Sequence, residues 1–298
     1  VEARDLFAQS LELARELGDV GNMANHAMNL GVVLFHIGEH AGAAQHYEAA
    51  IRLARRAGRV AADLQARENL AHLHLYFGMY ETARGELEPL IVEASARGQQ
   101  FVAAQAAHIL GDLLARTGEV EKALIQYDDA VARYTKLGQP RELAELNLDA
   151  ASALLDRGGP VDASAAAARL ATARELIDRE GIEDLRLRVE LQIARARLAN
   201  GDSEGAVAAL KDVVERARRD RDREVEWMAL YALSLAQEQA GTAFGSRRNA
   251  QHSMEVLEEI ALRLPREYRE SFWHDPRRRA VRERAQQSEL SALETSAG

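Results

Sequence analysis

The stretch Asn29-Leu30-Gly31-Val32-Val33-Leu34-Phe35-His36-Ile37-Gly38-Glu39-His40-Ala41-Gly42-Ala43-Ala44-Gln45-His46-Tyr47-Glu48-Ala49-Ala50 decides the fold. It returns two periods later, as Ile109-Leu110-Gly111 before Gly118 and Ala123, Tyr127 and Ala130 after it. In both copies a small residue precedes a turn glycine, and three residues at +4 and +7 spacing follow it. That spacing puts the three on one face of a helix. A helix, a tight turn and a second helix therefore make one unit.

Outward from this stretch, the glycines mark the repeat. One series is Gly18, Gly58, Gly98, Gly138 and Gly181; the other is Gly38, Gly78, Gly118, Gly158, Gly201 and Gly241. The steps are 40 residues, except for one of 43 in each series, Gly138 to Gly181 and Gly158 to Gly201, where Gly159-Pro160-Val161 intervenes. Two interleaved series mean two turns per repeat, and the apolar-periodic segments between them read as helices. Asn69-Leu70-Ala71 and Asp149-Ala150-Ala151 take the place of Asn29-Leu30-Gly31, each with a small residue that lets a neighbouring helix approach. Ala83, Leu87 and Leu90, Ala166, Leu170 and Ala173, and Ala206, Leu210 and Val213 continue the second-helix pattern. Ala3, Phe7 and Ser10 share its phase, so the chain opens in the second helix of a hairpin. With no initiator Met, we expect sequence upstream; a natural cap is the other reading. The period predicts an all-α solenoid of stacked antiparallel hairpins.

Composition agrees. The 298 residues allow two domains or one long repetitive one. Apolar residues are 47% and aromatics 5%, with five prolines, which suits helices and argues against a β-sandwich or barrel. Cysteine is absent, so disulfides, thiol nucleophiles and thiolate metal sites are excluded within this chain. The net charge of -9 is poorly suited to coating a phosphate backbone. No apolar run reaches the roughly 18 residues of a membrane span, and the start is not a signal peptide. We expect a cytoplasmic protein.

These residues resemble tetratricopeptide repeats. The Leu-Gly and aromatic…Ala signature is carried by Leu30, Gly31, Tyr47 and Ala50, and again by Leu110, Gly111, Tyr127 and Ala130. The usual period of that family is about 34 residues. A period of 40 is closer to the long-helix variant found in cell-polarity adaptors, kinesin light chains, response-regulator phosphatases and large bacterial regulators. The resemblance covers residues 1 to about 260 and implies a right-handed α-solenoid of antiparallel hairpins. The family's proline at the end of the second helix is replaced by glycine, and its early aromatic is missing except at Trp227. The organisation expected is a second helix of a truncated or capping repeat over 1–18, about six hairpins of 40–43 residues over 19–262, and a C-terminal capping helix with a polar, partly disordered tail over 263–298. The charge run Arg216 to Glu224 takes the place of a turn glycine, and Gly241 to Arg248 reads as a looser connection. Pro265 and Pro276 bracket a short helix whose Tyr268 and Phe272 are expected to close the open end of the solenoid.

In the family the first helix of each unit lines a concave, peptide-binding face. The residue before the Leu-Gly pair points into it, and those positions hold Asn29, Asn69, Ile109, Asp149, Gln192 and Ala232. A side-chain amide both donates to and accepts from a peptide backbone, so a ladder of them suits an extended chain. Alternatively these residues bond within their own hairpins. The same phase adds Asn25, Met28, Val32, His36, Gln65, Glu68, His72, Gln105, His108, Asp112, Arg116 and Tyr231, and in the later part Arg188 and Arg195, which could take a carboxylate. The three lysines, Lys122, Lys136 and Lys211, fall at none of the positions of the family's carboxylate clamp.

Catalysis is not expected. His36-Ile37-Gly38-Glu39-His40 matches an inverted zinc-protease motif, but Gly38 is the hairpin turn and breaks the helix that chemistry needs. No phosphate-binding loop or dinucleotide fingerprint occurs. Arg216–Arg223 and Arg277-Arg278-Arg279 are basic but lack interleaved aromatics, so direct nucleic-acid binding is not expected either. No catalytic, cofactor or metal residue is assigned. The reading is a protein-interaction scaffold for a peptide or partner domain, within a larger bacterial signalling or transcription regulator. The alternatives are a structural spacer that self-associates, or a small-molecule-sensing regulatory domain.

Overall fold

The computed structural model describes residues 2–297. The fold is an all-α repeat fold of helical hairpins, with no strand among the described residues. Two compact units divide the chain: 1–113 with 262–274, and 114–261 with 275–298.

The first unit opens with α1 (Glu2–Glu16), followed by α2 (Val20–His36), α3 (His40–Arg56), α4 (Val60–Tyr76), α5 (Tyr80–Ala96) and α6 (Gln100–Arg116), whose last residues belong to the second unit. Each of α2 to α6 has 17 residues. Two such helices and two three-residue turns account for the 40-residue period. Each turn closes in the same way. At the α3–α4 turn, Gly58 takes φ +65° and the Arg59 N–H reaches back to the Ala54 carbonyl at 2.8 Å. This left-handed cap satisfies a terminal carbonyl, and glycine adopts it without a Cβ penalty. In the α2–α3 hairpin α2 packs on α3, and Ala24, Ala27, Leu30 and Leu34 of the one and Ala43, Tyr47, Ala50 and Ala54 of the other are buried.

The segment after residue 261 returns to this unit. A short 3₁₀ turn (Arg266–Tyr268) leads into α14 (Arg269–Phe272). Tyr268 stacks on Phe77, with ring centroids 4.1 Å apart and planes 9° apart, and Phe272 lies 6.1 Å from Tyr76. Tyr268 and Phe272, expected to close the open end of the solenoid, pack on the end of α4. The α4 end offers the apolar rings Tyr76 and Phe77, and Gly78 has no side chain to hold the segment off.

The second unit contains α7 (Val120–Leu137), α8 (Pro140–Arg157), α9 (Pro160–Glu180), α10 (Arg186–Ala199), α11 (Ser203–Asp220), α12 (Arg223–Gln239), α13 (Ala243–Arg263) and α15 (Pro276–Ala297). The 43-residue step comes from α9, which has 21 residues. First helices touch their successors: α8 packs on α10 and α10 on α12. Ala144, Leu148, Ala151, Leu170, Ile177 and Val189 form part of one continuous core there. Where the turn glycine is missing, Arg221 itself takes φ +59°, and Asp222 caps α12 by accepting from the Val225 N–H at 3.0 Å. The connection expected to be loose at Gly241 to Arg248 is short, because α13 already begins at Ala243. At the start of α15, buried Asp275 accepts from the Arg277 N–H at 2.9 Å and from its guanidinium at 2.7 Å. Burial alone would raise this carboxyl, but Arg277, Arg116 and Arg278 outweigh it and hold it well below the usual carboxylate range. No helix among the described residues is long and apolar enough to cross a membrane.

Candidate functional site

In the first unit the expected groove residues lie along α2, α4 and α6. Asn25 and Asn29 are half-buried on α2, and Asn69 is half-buried on α4. Among the described residues none of these three amides makes a side-chain hydrogen bond. Helical spacing of +4 puts Asn25 and Asn29 one above the other on one face. The neighbouring amides differ. Gln65 donates to Glu68 at 2.5 Å and to Gln105 at 3.0 Å, which ties α4 to α6 across one repeat.

Glu68 is 2% exposed and is the buried acid of this face. Burial pushes its carboxyl up to about 8, against the opposing pull of His108 and the hydrogen bond from Gln65. Tyr47 lies close enough to feel it: burial first, then the Glu68 charge, raises the phenol above its usual range. His108 is half-buried on α6, with Asp112 one turn further along the same face.

His36 is exposed at the end of α2, and His72 is exposed on α4 with its ring 5.5 Å from Phe35. His74 faces the other way, as an i,i+2 residue must, and its Nδ1 lies 2.7 Å from Glu86 of α5. The two histidines of the protease-like motif are also separated. His40 starts α3 and is buried, 4.6 Å from the Tyr76 ring, while His36 is exposed at the far side of the turn.

In the second unit Asp149, Arg188, Gln192 and Arg195 come together on α8 and α10. Arg188 donates to Asp149 at 2.8 Å and to Glu145 at 2.7 Å. Arg195 donates to Ser152 at 3.0 Å, to buried Gln192 at 2.8 Å and to Asp156. Both guanidiniums thus hold carboxylates of this chain and staple successive first helices. A visiting carboxylate would have to displace them. The partners Glu145, Ser152 and Asp156 escaped the sequence reading. Their separations of 39 and 43 residues from the arginines, one repeat each, were the signal that could have found them.

A cleft of about 350 Å³ lies beside this row, lined by Leu155 of α8, Leu198 of α10, Trp227, Met228 and Tyr231 of α12, and Ala280 of α15. The Trp227 indole N–H donates to Glu224 at 2.8 Å and fixes the ring.

The sequence pattern of the tetratricopeptide repeat matches residues 2–65, 68–137 and 191–243. A comparison with curated proteins gives no match. Among solved structures, the crystal structure of yeast Tom70 is similar at 14% identity and a TM-score of 0.44, over 98% of this chain and 60% of that one. A circular tandem repeat protein with novel repeat topology and enhanced subunit contact surfaces is similar at 14% identity and a TM-score of 0.29, over 99% of this chain and 91% of that one.

Proposed function

The chain belongs to the tetratricopeptide repeat family, whose repeats generally mediate protein–protein interaction, and from this we propose that it binds an extended peptide or a partner domain along its first-helix faces. One observation carries the reading. Asn25, Asn29 and Asn69 present half-buried amides on successive first helices, with no hydrogen bond of their own among the described residues. A half-buried amide with no partner in its own chain can exchange its water for a peptide N–H or C=O without breaking an internal bond. The role is that of a non-catalytic scaffold. The 40-residue, long-helix repeat supports a setting in a larger cytoplasmic bacterial signalling or transcription regulator.

The test is selection from a displayed random-peptide library on the wild-type chain, followed by calorimetry of the selected peptides. Replacing Asn29 and Asn69 together by Ala should weaken their binding about tenfold or more and leave the melting temperature nearly unchanged. A large drop in melting temperature would assign the two amides to the hairpins instead. Peptides that bind the variant as tightly as the wild type would remove the ladder.

A further inference from the structure

We propose that the cleft of the second unit is an anchor pocket for one bulky apolar side chain of an extended peptide, with the flanking peptide amides meeting the Arg195–Asp156 edge. This rests on the reading that the first-helix faces bind peptides, and it adds what such a peptide must carry.

The floor is apolar and already built. Three first helices contribute Leu155, Leu198 and Met228, and Trp227 beneath them is 2% exposed. The wall is α15, whose inner residues Val281 and Ala285 are buried. Arg284 locks that helix to α12, donating to the Ser234 hydroxyl at 2.7 Å and to the Ser234 carbonyl at 3.1 Å. A volume of about 350 Å³ is at the small end of ligand pockets, the scale of one large side chain with its adjoining backbone.

The edge selects the head group. Arg195 and Asp156 stand side by side as an ion pair, with Ser152 also bonded to Arg195. Arg277, which also lines the cleft, is held by buried Asp275, and the remaining edge of one positive and one negative group favours neither a lone anion nor a lone cation. A peptide amide, with a donor and an acceptor, complements both. Tyr231 supplies a further group. It lines the cleft, interacts electrostatically with Arg195, Arg284, Asp156 and Glu283, and its hydroxyl has no hydrogen-bond partner among the described residues. An amide placed there would give it one.

The test uses fluorine NMR of three probes: acetyl-glycyl-(4-fluorophenylalanyl)-glycine amide, 4-fluorophenylacetate and 4-fluorophenethylamine. The peptide should broaden on adding wild-type protein, with a millimolar Kd, and the acid and the amine should bind several-fold more weakly. Ala199→Leu, at an exposed residue of the cleft rim, should weaken the peptide about tenfold with no change in melting temperature. Ala280→Leu fills the cleft from the opposite wall and should do the same. The proposal is overturned if the peptide does not broaden, if neither variant weakens it, or if the acid or the amine binds best, which would mark a small-molecule site. If library peptides lose affinity in the Asn29/Asn69 variant but not in Ala199→Leu, the first-helix reading stands and the anchor pocket falls. Loss in neither overturns both.

Discussion

Gly31 of α2 lies directly against the ring of Tyr47 of α3: a methyl group on Gly31 would sit 2.7 Å from both Cδ1 and Cε1 of that ring. No real Cβ tolerates such a contact, and the Tyr47 ring is 3% exposed with little room to move. Gly31→Ala should therefore cost about 1–3 kcal/mol by overpacking, although alanine is the better helix former. Thermal melting by circular dichroism reads it, and an unchanged or raised melting temperature would show that the tyrosine can give way.

Among the described residues Arg221 is the one non-glycine residue with positive φ, at +59°. The turn it makes is otherwise that of the glycine turns, with the Asp222 N–H on the Ala217 carbonyl at 2.9 Å. An L-residue pays about 1 kcal/mol for this conformation, so Arg221→Gly should stabilise the chain by up to about that amount. Denaturant unfolding at constant m-value is the measurement. A destabilised variant would mean that the glycine's greater freedom in the unfolded chain outweighs the relieved strain.

Glu68 makes stability fall as pH rises. Its carboxyl is held up to about 8 by burial, against an ordinary value of 4.5, so between these values the folded chain binds a proton that the unfolded chain has released. Stability contributed by the neutral carboxyl is whole below about pH 4.5 and is lost as pH climbs through about 8. Glu68→Gln keeps the shape and removes the charge. Its melting temperature should match the wild type near pH 5 and exceed it near pH 9, by an amount on the order of a few kcal/mol in stability. Parallel pH profiles of the two proteins would place the titration elsewhere.

The close approach of Ser271 to Gly78 makes the returning segment sensitive to its stacked pair. A Cβ on Gly78 would lie 2.1 Å from the Ser271 carbonyl oxygen, and Tyr268 stacks on Phe77 alongside. Tyr268→Ala removes the stack, worth about 0.5–1.5 kcal/mol beyond the buried area. Trypsin should then cut faster after exposed Arg266 and Arg269, while the helical signal barely changes. Cleavage at the wild-type rate would show that the stack does not hold the segment.

The repeat was open to reading because it depends on local chemistry. A glycine at +65° to +86° closes most of the turns, and two 17-residue helices between such turns set the period. The pairing of small Gly31 with large Tyr47 could also be read from spacing, since both follow helical periodicity. The candidate site was only half legible. Helical phase put Asn29 and Asn69 on the first-helix faces, but phase says nothing about which amides are already bonded.

The sequence by itself determined the helices, the turns and the face on which each polar residue lies, since these follow from contacts a few residues apart. Tertiary structure alone decided what those residues meet. Gln65 reaches Gln105, and Arg188 reaches Asp149, only once successive first helices stack. Burial in that stack, not the residue's identity, raises Glu68. The place of residues 262–274 was likewise invisible, because a strap of aromatic residues settles wherever an apolar surface and a gap in the side chains coincide. Phe77 and Gly78 supply both, nearly two hundred residues away in the chain.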